Sequence, residues 1–170
     1  MAALSVFPSC NREDPEPVNE EEVITTLQVN LAPVGGGVPV TLRFFDEDGE
    51  LGAIAPLITV SGPLKPSTTY AATIQLLNET VVPTDDISLE VEEEGNDHLI
   101  CFAVTANISI DYEDADDNGL PLGLATSWVT GAASQGYVTL SLRHQAGTKT
   151  GDCPGAGETD VEVTFNVAVE

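Results

Sequence analysis

Apolar residues recur at every second position in segment after segment of this chain, and that period decides what it can fold into. Near the carboxyl end, Val161, Val163, Phe165, Val167 and Val169 fall on one side of an extended chain, while Glu162, Thr164, Asn166 and Glu170 fall on the other, with Ala168 a mild exception. A helix scatters such residues around its circumference, whereas a strand gathers them on one face. The same alternation places Val23, Thr25, Leu27, Val29 and Leu31 together, then Val38, Val40, Leu42 and Phe44, then Tyr70, Ala72, Ile74 and Leu76. It returns in Ile108, Ile110 and Tyr112 and in Val138, Leu140 and Leu142. Turn-forming clusters separate these runs, among them Pro33–Gly37, Ser61-Gly62-Pro63 and Thr130–Ser134. Short strands with one wet face and turns at this spacing predict an all-β fold, an antiparallel immunoglobulin-like β-sandwich.

One segment, near 84–94, departs from the rhythm and admits two readings. As a helix it is capped by Thr84, carries Asp85 and Asp86 in its first turn, aligns Ile87 with Val91 and stops at Gly95. As a strand it alternates Ile87, Leu89 and Val91, and it avoids setting Glu92, Glu93 and Glu94 against the negative end of a helix dipole. The capping pattern favours the helix. It is the only helix the sequence suggests.

The chain has 28 acidic and five basic residues, a formal net charge of −23, and Lys65 is the only basic residue between Phe44 and Leu142. Binding to nucleic acid draws on Lys and Arg that release counterions from phosphates, so nucleic acid is excluded as a partner. The same charge opposes direct contact with anionic lipid headgroups. A hydrophobic content of 42% supports a real core, and residues 23–170 are expected to form one domain.

The first 22 residues read differently. A short apolar run, Ala2–Pro8, leads through Ser9 to Cys10, and a polar, acidic segment over 11–22 follows. This order resembles the end of a bacterial lipoprotein signal, in which the cysteine is lipidated and the acidic segment serves as a tether. Residues 1–10 are therefore read as residual signal ending at Cys10, and 11–22 as tether. Phe7-Pro8-Ser9 is an irregular processing site, and no basic residue precedes Cys10. Membrane attachment is expected through the lipid anchor only, since multiple acyl chains hold firmly where one does not.

Two acidic turns carry the candidate metal chemistry. Asp114, Asp116 and Asn118 with Gly119 match the opening of a calcium loop, where oxygens at positions one, three and five converge around a glycine-permitted turn. Asp111 and Glu113 from the preceding strand are candidates for the missing oxygens, because position twelve is Ala125 instead of a bidentate glutamate. The competing reading is a solvated Asp- and Asn-rich hairpin turn. Asp46, Asp48 and Glu50 form a second alternate-carboxylate set around Asp48-Gly49, itself first of all a hairpin signal. If either turn holds a cation, Ca2+ is the expected one.

No recognised catalytic constellation surrounds His98 or His144. His144 continues the inward parity of Val138, Leu140 and Leu142 and is expected to cap the end of that core face, while His98 beside Asp97 reads as a surface-loop pairing. Cys101 and Cys153 form an even pair once Cys10 is set aside, consistent with a disulfide in an oxidising compartment; Cys101 also fits a small buried hydrophobe within Leu99–Val104.

A family resemblance rests on Pro17–Thr26, Val40–Phe44 before an Asp-rich turn, Thr68-Thr69-Tyr70, Leu76–Glu79, the Glu-rich stretch ending in Asp97-His98, and Glu158–Phe165. Together these resemble a family of small flavobacteria-type lipoproteins of Bacteroidota, and the similarity spans nearly the whole chain. The resemblance implies no activity and no binding residues. Its members sometimes carry the label of type 1 periplasmic-binding-fold proteins, which implies alternating helices and parallel strands that this sequence does not show. Arg12-Glu13-Asp14 resembles the acidic surface-display signal of such lipoproteins. The expected function is a non-catalytic outer-membrane or cell-surface lipoprotein whose β-sandwich binds an envelope or extracellular protein or glycan. The alternatives are a calcium- or small-ligand-binding periplasmic module and, last, a carbohydrate-active enzyme, for which a 5% aromatic content supplies little stacking surface.

Overall fold

The structure, a computed structural model, describes residues 22–49 and 52–170. The chain order is β1 (Thr26–Pro33), β2 (Val40–Phe45), β3 (Leu57–Val60), β4 (Thr69–Asn78), β5 (Asp85–Asp86), α1 (Ile87–Glu93), β6 (His98–Val104), β7 (Ile108–Tyr112), β8 (Ala125–Thr130), β9 (Ser134–His144) and β10 (Glu158–Val169). Two antiparallel sheets result. The larger runs β3-β2-β1-β4-β8-β7, with β5 added to the end of β4, and the smaller runs β10-β9-β6.

The alternation in the sequence becomes the layering of the sandwich. Leu27, Val29 and Leu31 of β1 and Tyr70, Ala72, Ile74 and Leu76 of β4 share one buried cluster with Val138, Leu140 and Leu142 of β9 and Val163, Phe165, Val167 and Val169 of β10. Each large side chain withdrawn from water in this way contributes about 1.5–3 kcal/mol. Trp128 is fully buried, and its indole Nε1 donates to Thr126 Oγ1 at 3.0 Å, so the one polar atom of the ring is matched. Val23 and Val38, expected inward, are exposed instead. The chain is still turning through Gly35–Gly37, all at positive φ, when it reaches Val38, and pairing with β1 begins only at Val40 opposite Leu31.

Hydrogen bonds and one covalent link join the layers. Tyr112 of β7 donates its hydroxyl to the Ile100 carbonyl of β6 at 2.8 Å, and the Ile100 amide donates to Leu122. Cys101 and Cys153 are joined by a disulfide with their Cα atoms 5.6 Å apart, tying the β9–β10 loop to β6.

The helix forms where the capping argument placed it, but its cap is Asp86 and not Thr84. Asp85 and Asp86 first pair as β5 with Asn78 and Leu77, which delays the helical turn until Ile87; Asp86 Oδ1 then accepts from the Ser88 amide at 3.2 Å. Ile87 and Val91 are buried on one face, as their spacing requires, and the acidic stretch Glu92–Glu94 closes the helix.

Candidate metal centre

Three adjacent strands deliver polar side chains to one end of the smaller sheet. His98, the first residue of β6, lies directly opposite His144, the last residue of β9, and on the other side of β9 the register sets Glu158 opposite the same His144. Cross-strand partners share a face, and the imidazole centroids are 4.7 Å apart with the rings tilted by 43°. Between Thr159 and Val161 the pairing of β10 with β9 slips, so that Asp160 has no partner across the ladder. A bulge of this kind re-aims a side chain that strict alternation sends elsewhere. It brings the Asp160 carboxylate to the two histidines, with one donor atom from each of the three within 4.8 Å of one another.

The chain enters this end from two further directions. Glu22, immediately ahead of β1, sets its Oε1 3.1 Å from His98 Nε2, with the Glu22 side chain only 8% exposed and that of His98 fully enclosed. The Glu94 carbonyl at the end of α1 lies 3.2 Å from His98 Nδ1. A carbonyl oxygen can only accept, so Nδ1 carries a proton, and Nε2 donates to Glu22 only when the ring is doubly protonated. Glu22, Glu94 and His98 form a second group whose donor atoms lie within 4.8 Å. Glu22 Oε2 and Asp160 Oδ2 are buried and, among the described residues, accept no hydrogen bond.

The electrostatics follow from this crowding. Burial opposes a charged His98, yet the Glu22 carboxylate and the Glu94 carbonyl outweigh it and raise the ring's pKa. Burial, with the Glu22 charge next, raises that of Asp160. Glu90, on the neighbouring helix face, moves in the same direction through burial and then the repulsion of Glu22 and Glu94. The site as it stands has more negative charge than its donors can match.

The turn at Asp114–Gly119 is built in the opposite way. Asp114 Oδ1 and Oδ2 accept from the Gly123 and Ala125 amides, both at 2.7 Å. Asp116 Oδ1 accepts from Asn118 and Leu120 at 2.9 Å each, and its Oδ2 stands 2.9 Å from the Lys149 ammonium, both side chains being almost inaccessible. Lys149 also donates to the Gly95 carbonyl at 2.7 Å, and Asn118 donates to Asn96 Oδ1. Asp111 is exposed on β7 opposite Ser127. Lys149, which follows the stretch poor in basic residues, and four backbone amides hold these carboxylates in place as turn supports. Among the described residues the convergent His and carboxylate groups lie around His98, and this turn is not one of them.

In the other acidic turn, Asp48 Oδ2 accepts from the Ala53 and Ile54 amides, and Asp46 is buried with Oδ1 unmatched. Glu50 lies outside the described residues, as do Cys10 and Arg12-Glu13-Asp14.

His98 is the main correction to the sequence reading. It is fully buried at the head of a strand, and Asp97 faces away from it into the β9–β10 loop, accepting the Gly147 amide at 2.8 Å. His144 ends the inward face of β9, as its parity implies, but there it meets His98 and Asp160. Glu22, assigned to the tether, packs into the domain. The parity of His144 was visible in the sequence; its register with His98 and the bulge at Asp160 were not.

No protein-family model, no curated protein and no solved structure matches this chain.

Proposed function

We propose that this chain is a non-catalytic β-sandwich of the outer membrane or cell surface, anchored by lipid at Cys10, that binds an envelope or extracellular protein or glycan. The observation that carries the reading is the Cys101–Cys153 disulfide, because such bonds persist in oxidising compartments and are rare where thiols are kept reduced. The acidic composition adds to it by excluding nucleic acid and leaving attachment to the anchor. A surface for the partner is offered by the cleft of about 530 Å³ between α1 and the Asp114–Asp117 turn. Leu89, 65% exposed, stands there among Glu92, Glu93 and Asp117. An apolar contact ringed by carboxylates suits a partner that presents a basic rim.

Labelling cells with a palmitate analogue tests the anchor. The wild-type chain takes up label and Cys10→Ala does not; equal labelling overturns the lipid-anchored reading. Crosslinking on intact cells then tests the binding face, with Leu89→Asp expected to lose the partner captured by the wild type. A second reading, a metal-binding module, is favoured by the cluster around His98.

A further inference from the structure

We propose that His98, His144, Asp160 and Glu22 bind one Zn2+ ion in a closed, four-coordinate site that pins the segment ahead of β1 to the end of the three-stranded sheet. The proposal stands independently of lipid anchoring and of any partner.

The donor set comes first. Two imidazoles with two carboxylates match the nitrogen and oxygen ligands of zinc, whereas calcium takes six to eight oxygens and has no use for a pair of histidines. Charge points the same way. Two carboxylates and two neutral rings around a divalent ion make a neutral centre, which is what a site this enclosed requires. A proton on His98 compensates only one of the two carboxylates and still leaves Glu22 Oε2 and Asp160 Oδ2 without a hydrogen bond among the described residues.

Geometry is the second support. Two donors on a tetrahedral zinc at about 2.0–2.1 Å stand roughly 3.3 Å apart. His98 Nε2 and Glu22 Oε1 are 3.1 Å apart, already near the separation of two donors on one ion. The His98, His144 and Asp160 donors lie within 4.8 Å of one another, and Glu22 joins them through the shared His98, so side-chain rotation is needed to bring all four onto one ion. The Glu94 carbonyl fixes the His98 tautomer from behind, leaving Nε2 free to ligate; this is the outer support that zinc-bound histidines ordinarily have.

The backbone is arranged to the same end. The bulge at Asp160 puts a carboxylate where regular pairing of β10 gives none. Just upstream, Gly157 at φ +89° passes so close to the His144 carbonyl that a Cβ there collides with backbone, which holds the start of β10 against the end of β9. Glu22 is the only one of the four ligands from outside the sheet, so occupancy of the site couples the residues leading into β1 to the body of the domain.

The test uses the full chain stripped with chelator and titrated with Zn2+ alone by calorimetry, alongside thermal melts and Co2+ absorption. The expected result is one Zn2+ per chain, a raised Tm, and the intense visible bands of tetrahedral Co2+ that Zn2+ abolishes. His144→Ala and Asp160→Asn each weaken Zn2+ binding by at least about tenfold. Asp117→Asn, an exposed change in the acidic turn, leaves binding unaltered. Near-ultraviolet circular dichroism of metal-free Asp160→Asn, nearly isosteric with the wild type, confirms that the comparison is made between folded chains. Absence of binding, a Tm response to Ca2+ equal to that for Zn2+, or Zn2+ binding indifferent to both ligand variants overturns the proposal.

Discussion

The turn at Asp114–Gly119 and the cluster around His98 are both rich in carboxylates, yet they use them in opposite ways. In the turn, Asp114 takes two backbone amides, and Asp116 takes two more together with the Lys149 ammonium. In the cluster, His98 groups with His144 and Asp160 and separately with Glu22 and Glu94, while among the described residues Glu22 Oε2 and Asp160 Oδ2 accept nothing. The first arrangement is held by backbone amides and an ammonium of the chain itself, and the second lacks such donors. Acidity alone therefore does not identify a site; buried acceptors without donors that lie beside convergent imidazoles point to one, because leaving such a group unmatched costs about 1–3 kcal/mol or more for a charge.

The β9–β10 loop touches both regions, and cutting it is the strongest way to ask whether they are separable. It sends Lys149 to the turn, Cys153 to β6 and Gly157 to His144. The disulfide closes a separation of 52 residues, so Cys101→Ser combined with Cys153→Ser is expected to lower stability by about 4 kcal/mol in denaturant unfolding. If the loop organises both regions, hydrogen exchange at Leu120 and at Gln145 accelerates together in that variant.

Asp114→Ala is expected to cost about 3 kcal/mol, since the buried Gly123 and the Ala125 amides each lose a charged acceptor. A loss near zero shows that the turn is a solvated loop and removes one side of the comparison.

Lys149→Met is expected to cost about 2 kcal/mol and to alter the acid limb of stability. Burial pushes the Asp116 carboxyl up, but the Lys149 ammonium and the Leu120 and Asn118 amides more than offset it and hold its pKa below the ordinary value. A depressed folded pKa contributes stability that is complete above the unfolded value of about 3.9 and fades as pH falls through the folded one. Acid unfolding below about pH 4 is thus steeper for the wild type than for Lys149→Met; parallel curves contradict the pairing.

Asp160→Asn carries the smallest effect and the sharpest contrast. In the presence of chelator it removes a charge facing Glu22 and is expected to change stability by less than about 1 kcal/mol, or to raise it. A loss as large as that of Asp114→Ala means that Asp160 already has its partners, and the contrast between the regions fails.

The inward sets of β4, β9 and β10 were legible residue by residue, because a period of two is a local property of the chain. So was the pairing of Ile87 with Val91 on one helix face. The site was largely illegible. His98 and His144 are 46 positions apart in a sequence that says nothing of which strand pairs with which, and only the β6–β9 register makes them neighbours. Asp160 lies just ahead of the alternating run that starts at Val161, and the bulge that redirects it leaves no residue signature there. The calcium-like spacing at Asp114–Gly119 was legible but led to a turn, since a run of Asp and Asn serves a hairpin as well as an ion. Val38 failed for a similar local reason: parity was right, but the glycine turn before it had not ended.

One map decides between the two regions. Crystals of the chain soaked in Zn2+ and measured on either side of the zinc absorption edge show where the ion sits. An anomalous peak enclosed by His98, His144, Asp160 and Glu22, with metal–nitrogen distances of about 2.0–2.1 Å, is the result predicted here. A peak in the Asp114–Gly119 turn, or none near His98, contradicts it.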